Sequence, residues 1–201
     1  MKMGTINAVM VKQLREKSGA GIMDCKEALT ECDGDMDKSI EYLRKKGLAT
    51  AQKRAGRSTS EGVVQAYIHL GGKIGVMVEV NCETDFVAKT DDFQEFSRNI
   101  AMHIAATSPV GINQEDVPQE IVDRELDIYR AQAREMGKPE KMIDKIAEGK
   151  LSKFYKDSCL MNQPYVRDPN MTITDYLNEV IAKTGEKISI KRFARFQIGE
   201  A

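Results

Sequence analysis

Three carboxylates, Glu79, Glu83 and Asp85, fall close together at the end of one strand-like segment. Clustered acids can do general acid–base chemistry or hold a cation. Here a solvated strand face is the expectation, because no Ser-His-Asp arrangement or HExxH motif accompanies them. The stretch Gly71-Gly72-Lys73-Ile74-Gly75 is glycine-rich, yet it lacks the spacing and the following Ser/Thr of a phosphate loop. It lies between two strands, so a hairpin turn is expected. The cysteines Cys25, Cys32, Cys82 and Cys159 form no CxxC pair, and His69 and His103 are the only histidines. These read as buried thiols, a solvent-facing strand histidine and a partly buried helix histidine. No metal site and no cofactor are expected. Two places stand out on physical grounds. Phe86 falls at a short strand-to-helix junction, where spacing alone favours a core position over a projecting wedge. Ile22 and Met23 are adjacent at a helix start, so one of them is a candidate for a solvent-facing patch, with partial packing of both as the alternative.

The elements that position these residues are legible from periodicity. Apolar stripes at Ile6, Val9, Met10 and Leu14, at Ile22, Cys25, Ala28, Leu29 and Cys32, and at Met36, Ile40 and Leu43 predict three short helices. Thr5 and Asp35 are the expected N-caps, and Gly47 the expected C-terminal cap of the third. Short connections force them into a bundle similar to the ubiquitin-associated fold. The run Arg44–Arg57 contains six basic residues and no acid, and reads as a linker that is helical at first. A solvated tether is its plain interpretation, contact with an acidic surface or RNA the sharper one. Alternation at Val64, Ala66, Ile68 and Leu70, and again at Ile74, Val76, Val78, Val80 and Cys82, predicts a hairpin with one apolar face. Helices follow from Thr90, over Pro118–Met136, at Met142–Ala147, again after Gly149, and from Thr172. A loop is expected over Asn162–Met171 and a third strand over Lys187–Ile198. The fold class is therefore α+β. A three-helix domain spans 1–47, a basic linker 48–60, and a core of a small antiparallel three-stranded sheet packed with helices 61–201.

The totals exclude several classes. A formal net charge of -1 argues against nucleic-acid binding by bulk electrostatics, and 41% hydrophobic residues argue against wholesale disorder. No stretch is long and apolar enough to span a bilayer, and Asn7, Lys12 and Arg15 interrupt any signal-peptide core. A cytoplasmic protein is expected.

Taken in order, Val11-Lys12-Gln13-Leu14-Arg15-Glu16 and Gly19-Ala20-Gly21-Ile22-Met23-Asp24-Cys25-Lys26-Glu27-Ala28-Leu29 resemble the N-terminal signature of the elongation factor Ts family. Val78-Glu79-Val80-Asn81-Cys82-Glu83-Thr84-Asp85-Phe86-Val87-Ala88 resembles its second signature. The segments Ile100–Ala106, Gly149–Leu151 with Phe154, Gln163–Val166 and Arg192–Phe196 fit as well, so the resemblance covers nearly the whole chain. It implies a non-enzymatic guanine nucleotide exchange factor that binds elongation factor Tu and promotes GDP release by disturbing its magnesium and switch region. The resemblance implies that Thr84, Asp85, Phe86 and Val87 enter the partner there, which reverses the core expectation for Phe86. It also makes Arg15, Ile22, Met23 and Lys26 candidate contacts to the partner's nucleotide domain.

Longer family members carry a second sheet-and-helix unit that this chain lacks. A homodimer is expected in its place, with Tyr67, Met77 and Phe193 on the sheet face away from the helices. Two other classes compete. A ubiquitin-associated-like adaptor has no use for the Asp85–Phe86 motif, and an RNA-binding accessory protein would interleave aromatics with its basic run.

Overall fold

The computed structural model describes residues 6–200. The chain divides into two compact units. One holds the described residues up to Gln65 with Glu79–Asn99 and Tyr176–Lys191, and the other Ala66–Val78, Ile100–Asp175 and the described residues from Arg192 onward. The architecture is α+β, with N-terminal helices followed by a three-stranded antiparallel sheet and its helices.

In the first unit, α1 (Ala8–Ser18) starts at Asn7, whose side chain accepts from the Met10 N–H. The expected cap Thr5 lies outside the described residues. Gly19, at φ +66, ends α1 and donates its N–H to the Arg15 carbonyl. Helix α2 (Ile22–Glu31) follows at once, and α3 (Met36–Arg54) is capped by Asp35 through the Lys38 N–H. Leu14, Cys25, Ala28 and Leu29 form the buried centre of the bundle, with Met10, Met36, Ile40 and Leu43 packed around it. Burying one such leucine contributes about 1.5–3 kcal/mol. Gly47 is not a cap. It is buried inside α3, where an added Cβ would meet the Ala182 Cβ at 3.4 Å. A residue without a side chain lets α3 and α8 (Ile173–Thr184) approach closely at that point.

Strands β1 (Glu61–Ile68), β2 (Ile74–Cys82) and β5 (Ile188–Gln197) form the sheet in the order β1-β2-β5. The His69 N–H donates to the Ile74 carbonyl at 2.9 Å, which sets the hairpin register. Counting back, Tyr67 lies opposite Val76 and Ile68 opposite Gly75, and a Cβ on Gly75 would sit 3.2 Å from Ile68 Cδ1. Val76, Val78, Val80 and Cys82 are buried, so the inner face of β1 carries Val63, Gln65 and Tyr67. This inverts the expected phase of β1: Val64, Ile68 and Leu70 are exposed. Alternation reports a period but not which face is buried, and β1 is apolar on both. On β5, Ile188 and Ile190 are buried, Lys191 and Arg192 are both exposed, and Phe193 and Arg195 are partly buried. Arg195 donates to the Ala105 carbonyl of α5 (Asp91–Thr107), which places it and Phe193 on the helix side. Of the three residues expected on the outer face, only Met77 lies there.

The second unit contains the antiparallel pair α6 (Gln119–Glu135) and α7 (Glu140–Ser158). Gly137 turns the chain at φ +67, and Arg134–Glu140 and Arg130–Asp144 ion pairs of 3.0 and 2.9 Å link the two helices. Helix α7 runs unbroken through Gly149, so the expected separate helix after that glycine does not exist. The expected loop at Asn162–Met171 contains a short two-stranded sheet, β3 (Pro164–Tyr165) with β4 (Asp168–Thr172). Thr172 and Asp175 do form a reciprocal cap, with Thr172 N–H donating to Asp175 Oδ2 at 3.0 Å and Asp175 N–H to Thr172 Oγ1 at 3.1 Å.

His103 is fully buried on α5. Its Nδ1 accepts from the Val166 N–H and its Nε2 lies 2.9 Å from Gln163 Oε1. Those neighbours assign the proton to Nε2. Burial holds the imidazole below its ordinary pKa, so it is neutral near pH 7.

Candidate functional site

Strand β2 ends at Cys82, and Thr84 opens α4 (Asp85–Ala88), a single helical turn that the sequence pattern did not reveal. The Thr84 hydroxyl accepts from the Val87 N–H at 3.3 Å and so caps the turn. Val87 and Ala88 are buried and fasten its far side to the core. Phe86 projects outward, 80% exposed. The core position favoured by spacing is therefore not the one adopted. The local reason is the helical turn, because Val87 takes the inward direction and leaves its neighbour outside. Asp85 is exposed and paired with Lys89 one turn on. Of the four residues at this motif, Asp85 and Phe86 present side chains to solvent, Thr84 caps, and Val87 anchors.

Glu83 is not on a solvated face. Its carboxylate accepts from the Lys187 N–H at 2.6 Å and pairs with Arg57 at 2.9 Å and Arg54 at 3.5 Å. The Lys187 N–H, with Arg57 and Arg54, holds its carboxyl below the ordinary carboxylate range. Glu186 accepts from the Thr84 N–H at 3.0 Å and from its hydroxyl at 2.7 Å. Lys187 Nζ in turn donates to the carbonyls of Ala55 and Arg57. The basic run is thus neither a free tether nor a free cationic patch. Further along it, Lys46 pairs with Asp24 and Glu27, and Lys45 with Glu41. Glu186 was missed because it sits in a charged loop with no periodic signal.

In the N-terminal helices, Ile22 and Met23 are both exposed, at 55% and 74%. Neither packs as a core residue, since Cys25, Ala28 and Leu29 take the inner face of α2. Lys26 lies one turn beyond Ile22 and is exposed, as is Arg15 in the last turn of α1. The structure gives Arg15 no contact that brings it to Asp85 or Phe86.

An exposed phenyl ring on a turn anchored from both ends, and an exposed Ile–Met pair on another element, leave apolar side chains uncovered, as protein-binding surfaces do. The particular family is given by comparison with known proteins. The family model described as Elongation factor TS matches residues 37–200. Elongation factor Ts of Desulfosudis oleivorans is 68% identical over 98% of this chain and 100% of its own length. Those of Geobacter sulfurreducens and Moorella thermoacetica are 58% and 59% identical, over 98% and 97% of this chain and 91% and 96% of theirs. The chain belongs to the elongation factor Ts family. It is a nucleotide exchange factor for elongation factor Tu in translation elongation, and not an enzyme.

Proposed function

We propose that the turn Thr84-Asp85-Phe86-Val87 is the element that dislodges GDP, with Phe86 as a wedge and Asp85 beside it. The exposure of the Phe86 ring is the observation that carries this reading. In the GTPase, magnesium and the phosphate loop hold the nucleotide together with the switch elements. A factor that binds the nucleotide-free form better weakens nucleotide binding by the same coupling free energy. Burying the Phe86 ring in a partner pocket contributes roughly 1.5–3 kcal/mol toward that preference. The Asp85 carboxylate rearranges hydrogen bonds near the magnesium site, and loss of the metal removes the main charge that neutralises the phosphates. The Asp85–Lys89 pair is exposed and weak enough to open on docking.

In this reading residues 1–47 are a docking domain, 48–60 connect it, and 61–201 carry the wedge. Ile22, Met23, Lys26 and Arg15 contact the nucleotide domain of the partner. The chain works as a homodimer in the cytoplasm, where translation takes place. The support for the dimer is the outer sheet face, with Leu70 at 91% and Phe196 at 69% exposure beside Ile68, Met77 and Ile198.

Release of labelled GDP from elongation factor Tu, titrated with this protein, tests both contacts. Phe86→Ala is expected to lower the maximal release rate at least tenfold, about 1.4 kcal/mol or more of the lost ring burial. Met23→Glu is expected to raise the concentration needed and to leave the maximal rate near the wild-type value. A full rate with Phe86→Ala would remove the wedge reading.

A further inference from the structure

We propose that Glu83 and Glu186 are positioning residues for exchange, forming a crossed carboxylate latch that fixes the turn carrying Phe86. The inference rests on the wedge reading of Phe86 and assigns roles to residues outside that motif.

The geometry is reciprocal. Glu83 and Thr84 are consecutive just after β2, and Glu186 and Lys187 are consecutive before β5. Glu83 accepts from the backbone N–H of Lys187 at 2.6 Å, and Glu186 accepts from the backbone N–H of Thr84 at 3.0 Å. Each carboxylate takes the N–H that follows the other. This is the logic of a capping box, applied between segments 102 and 104 residues apart.

The second bond of Glu186 sets the cap. A hydroxyl has one proton and two lone pairs. The Thr84 hydroxyl gives its proton to Glu186 Oε1 at 2.7 Å, which leaves a lone pair for the Val87 N–H. The chain Glu186–Thr84–Val87 is therefore polarised in one direction. Without Glu186 the hydroxyl is free to rotate, and the cap of α4 weakens.

This matters because Phe86 makes no burial of its own to hold it. Its place is set by the backbone of a four-residue helix, far below the length at which helices persist alone. Buried Val87 and Ala88 secure the far end, and the two carboxylates secure the near end. Arg54 and Arg57 compensate the Glu83 charge, and Lys187 Nζ ties the tail of α3 to the same point.

Two measurements on the full chain test the latch. Amide hydrogen exchange in the free protein reads the turn directly. Glu186→Ala is expected to speed exchange of the Val87 N–H at least tenfold while Val78 and Val80 in β2 keep their protection. Glu186→Gln, which retains one carbonyl acceptor, is expected to fall between. Unchanged Val87 protection in both variants overturns the proposal. Stimulated GDP release then reads the consequence. Glu186→Ala is expected to slow it roughly tenfold or more, the scale on which small misplacement lowers rates. In a Phe86→Ala background the same substitution is expected to add no further loss. An equal loss in both backgrounds overturns action through Phe86. If Phe86→Ala itself releases GDP at the full rate, the wedge reading fails, and the Val87 amide alone decides the latch.

Discussion

Phe86 and Val87 are neighbours with opposite fates, and the proposed wedge depends on the division between them. Val87 is 4% exposed and Phe86 80%, a contrast imposed by one turn of helix. The free-energy cost of removing an exposed ring is small, so Phe86→Ala should shift unfolding by no more than about 0.5 kcal/mol while it slows exchange. Denaturant unfolding on the same sample checks this, and a loss of about 3–5 kcal/mol would mark a buried ring instead. His103 supports a pH prediction. Its folded pKa is lowered by burial, so the unfolded state binds the proton more readily. The stability it contributes is present above the unfolded pKa of about 6.5 and is lost as pH falls toward the folded value. The wild-type melting temperature should drop between pH 7 and pH 5.5. His103→Gln should be less stable at pH 7, with a flatter slope over that interval.

At the scale of elements, the two helical glycines are opposite cases. Gly149 is exposed in α7 with nothing within 4 Å of an added Cβ. Gly149→Ala should therefore stabilise by up to about 1 kcal/mol, since the helix gains propensity without a clash. Gly47 faces Ala182 at 3.4 Å, where an alanine fits and a leucine does not. Gly47→Ala should be neutral or mildly stabilising and Gly47→Leu clearly destabilising, as thermal melts of the three variants would read out. The same two residues explain what the sequence made legible. Each glycine looked like punctuation, yet both are interior to long helices, because packing and helix length override a single unfavourable residue. The three N-terminal helices, the hairpin, α5 and the terminal strand were readable because their stripes are strong. The phase of β1 was not, since both its faces are apolar. The site motif was readable only through family resemblance. Glu83 stood out in the sequence, but its pairing with Lys187 and that of Glu186 with Thr84 did not, because the partners lie 104 and 102 residues apart.

The outer sheet face is a matter for the whole molecule. Ile68, Leu70, Met77, Phe196 and Ile198 are all exposed on β1, β2 and β5 and the turns that follow them. An apolar sheet face of this kind is expected to be covered, and in the proposed homodimer a second copy covers it with an isologous contact. Phe196→Glu should shift sedimentation across micromolar concentrations from dimer to the 22.5 kDa monomer. A wild-type chain that sediments as a monomer throughout would remove the dimer. No disulfide links the four free cysteines, so reductant should leave the sedimentation unchanged.

The crossing of Glu83 with Lys187 and of Glu186 with Thr84 also has a consequence for the newborn chain. A nascent polypeptide grows at about 5–20 residues per second, so roughly 5–20 seconds separate synthesis of Thr84 from that of Glu186, 102 residues later. During that interval the Thr84 amide and hydroxyl lack the carboxylate that accepts from them in the finished fold. A growing chain terminated before Glu186 would carry the aromatic ring without the carboxylate that the proposed latch needs. In the proposed mechanism, exchange competence is therefore acquired late in synthesis, long after Phe86 itself has been made.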